Sequence, residues 1–340
     1  MTAAPAPASP SDTLPAIRHD YLPILLPVAL SALALPFVGN PTTWVTLTVA
    51  ALAMGMMIFV IASGLTLVFG LMDVLNFGHG AFIAVGAYIA LSVLALLSGW
   101  VQADSLLWNL MALGLAVTVA MVGTGLLGLA FERVIVRPVY GQHLKQILIT
   151  MGGLIVAEQL IHVIWGGDQK AMALPTALRG AVVIGDVAIE RFRILTVAVG
   201  LVVFAAMLIV LNRTRIGLLI RAGVENAEMV EALGYRIRRL FVGVFAVGSA
   251  LAGLGGVLWA LYRETLTAAI GGDVMVLVFI VIIIGGLGSV GGCFIGAILV
   301  AMMANYTAFL LPKVALASNI LLMVAVLMWR PQGLYPVAKR

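Results

Sequence analysis

Long apolar runs, broken by short clusters of glycine, proline and charge, organise this 340-residue chain. Stretches of about 20 apolar residues, enough to cross a bilayer as a helix, recur from residue 21 almost to the end. They predict spans at 21–38, 44–71, 77–98, 106–131, 147–166, 193–212, 240–262, 268–287, 291–311 and 315–329. That makes about ten, with ends placed to within ~2–4 residues. In lipid each segment must satisfy its own backbone hydrogen bonds, so spans of this kind are helices. The two-residue alternation of an outer-membrane barrel is absent from the pattern. Glycine-rich breaks at 72–80 and 285–292 admit half-helices or re-entrant turns as well as loops. The expected fold is all-α, a polytopic bundle in a single transmembrane domain over 21–340. Residues 1–20, with Pro5, Pro7 and Pro10, read as a mobile cytoplasmic tail. They lack the basic start and small-residue cleavage site of a signal peptide.

Composition narrows the class further. Hydrophobic residues make up 63% of the chain and charged residues 10%, against about 25% charged in soluble domains. The net charge of +5 is explained by membrane topology rather than by nucleic acid. With a cytoplasmic amino terminus, 13 of the 19 Lys and Arg fall on the inner side: Arg18, Arg133, Arg137, Lys145, Arg213, Arg215, Arg221, Arg236, Arg238, Arg239, Arg330, Lys339 and Arg340. Both termini are then inside, as the positive-inside rule favours. The outer connections 167–192 and 263–273 carry Asp168, Asp186, Glu190, Glu264 and Asp273. They offer a place for an outward partner to dock, or are simply solvated loops. Cys293 is the only cysteine, which excludes internal disulfides and a thiolate metal cage. The four histidines are scattered and no nucleophile has a base beside it, so neither cofactor nor catalytic centre is expected. Nothing in the chain has the form of a P-loop; if ATP drives it, another chain supplies the ATPase.

Three segments interrupt the apolar pattern. In the first, Gly64 to Phe82, the residues Asp73, Asn76 and His79 are spaced by three and would share one face of a helix. Gly78 and Gly80 beside them permit close helix approach or a bend. This is either a short cytoplasmic turn or, with Asn76 and His79, the inner mouth of a solute path. The second is the polar island Asn212–Arg239. Ile216, Leu219 and Ile220, then Met229, Val230 and Leu233, lie at helical spacing, and Gly234 is a stop signal. Glu225, Glu228 and Glu231 recur on one side. An amphipathic helix of this kind suits a partner's groove better than an anionic membrane surface, which would repel the glutamates. The third, Ile284–Gly296, is a close-packing surface or a helix break lining a cavity. Glu158 and His162, four apart on span 147–166, would be able to hydrogen-bond along one helical face. At membrane depth such residues form an interior polar cluster or a proton relay, or, for His162, lie close to the outer headgroups.

Several strings, in order, resemble the branched-chain amino acid ABC-transporter permease family: GLTLVFGLMDVLNFGHGAFIAVGAY, ERVIVRPV, RTRIGLLIRAGVENAEMVEALG, IIGGLGSVGG and WRPQGLYP. The resemblance runs from about residue 44 to 336, and lies with the first-permease branch that includes similar urea permeases. It implies an importer of two related permease chains, two cytoplasmic ATPase subunits and a periplasmic solute-binding protein, in the bacterial inner membrane. It implies further that Arg221, Glu225, Asn226, Glu228, Glu231 and Gly234 form the coupling helix that sits on the ATPase. Asn76 and His79, by their position alone, and Glu158 are expected to border the translocation path. The expected function is a permease subunit for branched-chain or related hydrophobic amino acids. Urea, short amides and aromatic carboxylates are rivals within the family, and a self-sufficient channel or proton-coupled carrier is the rival outside it.

Overall fold

The computed structural model describes residues 22–335; the expected tail over 1–20 lies outside them. Twelve apolar or amphipathic helices and one short turn of helix follow one another: α1 Leu22–Val38, α2 Pro41–Met72, α3 His79–Leu96, α4 Ser98–Val101, α5 Leu106–Phe131, α6 His143–Trp165, α7 Arg191–Arg213, α8 Arg215–Glu225, α9 Ala227–Ala232, α10 Ile237–Arg263, α11 Ile270–Gly285, α12 Val290–Leu310 and α13 Ala315–Trp329. The chain is an all-α polytopic bundle. Seven of the described helical stretches are long and apolar enough to cross a membrane. The apolar helices α1, α11 and α13 are shorter, at 17, 16 and 15 residues. Four two- to four-residue strands, which the apolar pattern did not predict, form in the connections 167–192 and 263–273. β2 (Ala181–Ile184) and β3 (Val187–Glu190) make an antiparallel hairpin. β1 (Lys170–Ala171) pairs with β4 (Thr265–Leu266), tying the two acidic connections together.

The middle of the bundle is built by α2, α3 and α10, whose apolar residues are buried on most sides, Phe59, Phe82, Phe245 and Tyr88 among them. α2 and α3 have no amphipathic stripe to orient them, so backbone proximity does the orienting where they cross their neighbours. α2 crosses α10 at Gly64 and Gly248, where a Cβ on either residue would run into the other's carbonyl oxygen. α3 crosses α11 at Gly80 and Gly271, and a Cβ at Gly271 would overlap the Gly80 oxygen. Apolar residues of α6 and α7, such as Leu144, Leu148, Val163 and Val202, are exposed on the outside, as expected of surfaces that face lipid or a second chain.

The glycine-rich segment after α11 is a turn. Gly286 and Gly288 take φ of 97° and 81°, and the Ser289 hydroxyl caps α12 by accepting from the Gly292 N–H at 3.1 Å. The segment 329–335 closes this end. The Leu334 and Tyr335 N–H groups donate to the carbonyls of Ile284 and Gly285, at 2.8 and 3.0 Å, satisfying carbonyls that the end of α11 leaves open.

Candidate functional site

The first interruption is a junction between helices rather than a helical face. α2 ends at Asp73, which adopts the left-handed conformation (φ 51°, ψ 36°) while its N–H donates to the Phe69 carbonyl at 2.9 Å. Asp73 is exposed and stands 4.0 Å from His143 Nε2, also exposed, a contact of little energetic weight. Asp73, Asn76 and His79 therefore do not share one face, because the chain leaves the helix between the first and the last. Asn76 and His79 are instead buried, at 1% and 0% exposure. Three neighbours hold the turn: the Phe77 N–H donates to Thr150 Oγ1 of α6 at 3.1 Å, the Phe77 ring meets Phe279 of α11 at 4.6 Å, and Gly78 lies against Phe131 of α5.

His79 opens α3 with its Nε2 3.0 Å from the Ile61 carbonyl of α2, so Nε2 carries the proton and donates. Its Nδ1 has no partner, nor has either polar atom of the Asn76 amide. A buried amide without hydrogen bonds is costly, on the order of 1–3 kcal/mol per orphaned group, and such groups call for water or a ligand. The structure thus gives Asn76 and His79 three unpartnered polar atoms among buried side chains.

Glu158 lies half-buried on α6, and its Oε1 is 3.4 Å from where a Cβ on Gly272, in the first turn of α11, would sit. Asp273 follows directly in sequence. His162 is exposed, and among the described residues no hydrogen bond joins it to Glu158. The expected pairing along one helical face is absent because Glu158 turns toward α11.

The polar island contains two helices where the spacing suggested a continuous acidic face. Thr214 caps α8, accepting from the Gly217 N–H at 3.3 Å. α8 is amphipathic, with Ile220 buried and Ile216, Leu218 and Arg221 exposed. Asn226 then leaves the helix (φ −156°, ψ 93°) and caps α9, its Oδ1 accepting from the Met229 N–H at 2.9 Å. The break puts Glu225 on α8 and Glu228 and Glu231 on α9. Asn226 is thus a capping residue, since asparagine competes for the backbone at just such positions. Gly234 stops α9 as expected, with φ 88° and its N–H on the Glu231 carbonyl at 2.9 Å. Exposed Glu228 and Glu231 stand among exposed Met229, Leu233 and Tyr235.

One ionisable residue escaped the sequence reading. Glu132, in the ERVIVRPV string, is 2% exposed and begins a π-helical turn, Glu132–Val136, at the end of α5. It accepts from the Tyr140 hydroxyl at 2.7 Å. Burial, and then the hydrogen bond and charge of Glu132, hold the Tyr140 phenol above the ordinary tyrosine value. The available signal was a lone carboxylate directly after a 26-residue apolar helix.

Comparison with known proteins agrees with this architecture. The family model described as branched-chain amino acid transport system / permease component matches residues 47–328. The chain is 29% identical over 294 residues to the high-affinity branched-chain amino acid transport system permease protein BraD of Pseudomonas aeruginosa, covering 84% of this chain and 94% of that one. The corresponding LivH protein of Escherichia coli is 28% identical over 280 residues, 81% and 89% of the two chains. A probable LivH of Methanocaldococcus jannaschii is 22% identical over 292 residues, 82% and 88%. No solved structure matches. With the family model covering all but the two ends of the chain, this protein belongs to the branched-chain amino acid transport permease family.

Proposed function

We propose that the chain is a transmembrane permease subunit of an ATP-driven importer in the bacterial inner membrane, and that its solute is a branched-chain or related hydrophobic amino acid. In this reading it works with a second, related permease chain, two cytoplasmic ATPase subunits and a periplasmic solute-binding protein. The solute class rests on its relatives, which are high-affinity branched-chain amino acid transport permeases. The observation that carries the reading is the α8–α9 element between α7 and α10. Both of its helices are capped by their own side chains, and α9 presents carboxylates among exposed apolar side chains. An exposed apolar patch with polar neighbours marks a docking surface, here for the ATPase. Arg221, Glu225, Glu228 and Glu231 are its contacts, while Asn226 and Gly234 set its bend.

Nucleotide-driven closure of the ATPases would then move α8–α9 as a rigid body and carry α7 and α10 with it. Asn76 and His79, with their unpartnered atoms, border the inner part of the path, and Glu158 borders it farther out. Acidic connections joined by β1 and β4 receive the solute-binding protein. The test is the double variant Glu228→Arg/Glu231→Arg, which exchanges two exposed carboxylates without touching the bundle. Uptake should be abolished while the chain remains in the membrane at normal level; normal uptake would overturn the docking role.

A further inference from the structure

Two cavities meet at Arg239, on the first turn of α10. One, of about 580 Å³, lies between the ends of α5 and α10 and is lined by Arg133, Arg137, Arg238 and Arg239. All four guanidinium side chains are exposed. The sole carboxylate lining it, Glu132, is buried and already engaged by Tyr140. Among the described residues, Arg133, Arg137 and Arg239 form no ion pair. Glu231 is the one acid lining an adjoining hollow that shares Arg238 and Arg239. The second cavity, of about 450 Å³, runs along the other side of α10 between α2, α7 and α8. Its walls are aliphatic, with Leu71, Val210, Ile220 and Val247 among them, and Arg239 is its one charged member. Gly243 opens into it: a Cβ there would meet nothing within 4 Å.

We infer that this pair of cavities is a binding site for an anionic phospholipid of the inner leaflet. The phosphate lies in the arginine-lined cavity, and an acyl chain passes Arg239 into the aliphatic one. Charge complementarity selects the occupant. Four arginines with one free-standing neighbour acid attract an anion, and the charge distribution puts them on the cytoplasmic side, where the leaflet surface is negative. The aliphatic cavity one turn away distinguishes a lipid from a free anion, because a free phosphate has nothing to place there. A lipid so placed touches α5, α7, α8 and α10 together and would brace the base of the 213–239 element. The inference needs the cytoplasmic orientation but not the importer reading.

The test uses the full chain in a neutral detergent, with phosphatidylglycerol, phosphatidylcholine of the same chains and inorganic phosphate as probes. Apparent affinity is read from the rise of the thermal midpoint across a concentration series. Phosphatidylglycerol should bind at least tenfold more tightly than phosphatidylcholine, with no effect of phosphate. In Arg133→Gln/Arg137→Gln/Arg239→Gln that preference should disappear, at about fivefold for each arginine removed. Gly243→Leu, whose Cβ enters open space and whose side chain extends into the aliphatic cavity, should weaken phosphatidylglycerol with the arginines intact; it decides alone if the triple variant does not fold. Equal binding of the two lipids, an equal effect of phosphate, or a preference that survives both variants would overturn the site. So would an arginine variant that loses its ATPase partner yet keeps its lipid preference, since the arginines would then be serving a protein.

Discussion

Two glycines on α10, five residues apart, should respond to the same substitution with opposite sign. At Gly243 a Cβ would enter open space, with nothing within 4 Å. Gly243→Ala therefore keeps every contact and gains the helix propensity of alanine, about 1 kcal/mol. At Gly248 a Cβ would sit 2.7 Å from the Gly64 oxygen and 2.9 Å from Val68 Cγ2. The valine methyl can rotate away, but the carbonyl belongs to α2 and moves only if the two central helices separate. Overpacking of this kind costs about 1–3 kcal/mol, and a backbone obstacle puts Gly248→Ala at the upper end. Set against the same propensity gain, the net loss is about 2 kcal/mol, so the two variants should differ by about 3 kcal/mol. Unfolding of each purified variant in mixed micelles, titrated with a denaturing detergent, measures the difference. If Gly248→Ala is as stable as Gly243→Ala, the α2–α10 contact is not the close crossing described, and the account of how these helices find their register fails.

Further outcomes follow from single side chains. Asn76→Ala removes an amide with no protein partner, so thermal stability should hold or rise while uptake falls; unchanged uptake would remove Asn76 from the path. Asn109 is fully buried, with Nδ2 within 3.0 Å of the Trp100, Ala103 and Ser105 carbonyls and Oδ1 accepting from the Ala177 N–H at 2.7 Å. Asn109→Leu orphans the Trp100 and Ala103 carbonyls and the Ala177 N–H, while the Ser105 carbonyl keeps the backbone N–H of residue 109, and should cost about 3 kcal/mol in the same unfolding assay. Tyr140→Phe takes the hydroxyl donor from buried Glu132 and should cost about 1–3 kcal/mol at neutral pH. Because the folded state holds this phenol's proton more tightly than the unfolded chain, its contribution is complete below pH of about 10 and declines above it. The alkaline part of the wild-type stability profile should therefore be shallower in the variant.

What the sequence made legible was whatever depends on composition over many residues. The spans at 44–71 and 240–262 emerged as α2 and α10 because about 20 consecutive apolar residues leave the backbone no alternative in lipid. The stop at Gly234 was visible because a left-handed residue after a helix favours glycine. Less legible was anything decided by one residue's backbone or by distant pairing. Asp73 enters the left-handed region and ends α2, leaving Asn76 in the turn and His79 as the first residue of α3, yet the spacing of three looked helical. Asn226 sits at a position that reads equally well as helix or cap, and only its extended backbone separates α8 from α9. The β1–β4 pairing joins segments some ninety residues apart through two residues each, too short to leave an alternating pattern. Nothing in the spacing marks Glu132 as buried, and its hydrogen-bond partner Tyr140 lies eight positions on.

Central to the account is that this chain moves solute only as part of an ATPase-driven assembly, engaged through α8 and α9. The most direct measurement is to tag the chain in its native host, extract it gently and identify the chains that come with it, for the wild type and for Glu228→Arg/Glu231→Arg. A second permease and P-loop ATPases should come with the wild type, and the ATPases alone should be lost in the double variant. Recovery of the chain by itself, still moving solute after reconstitution without any ATPase, would contradict it.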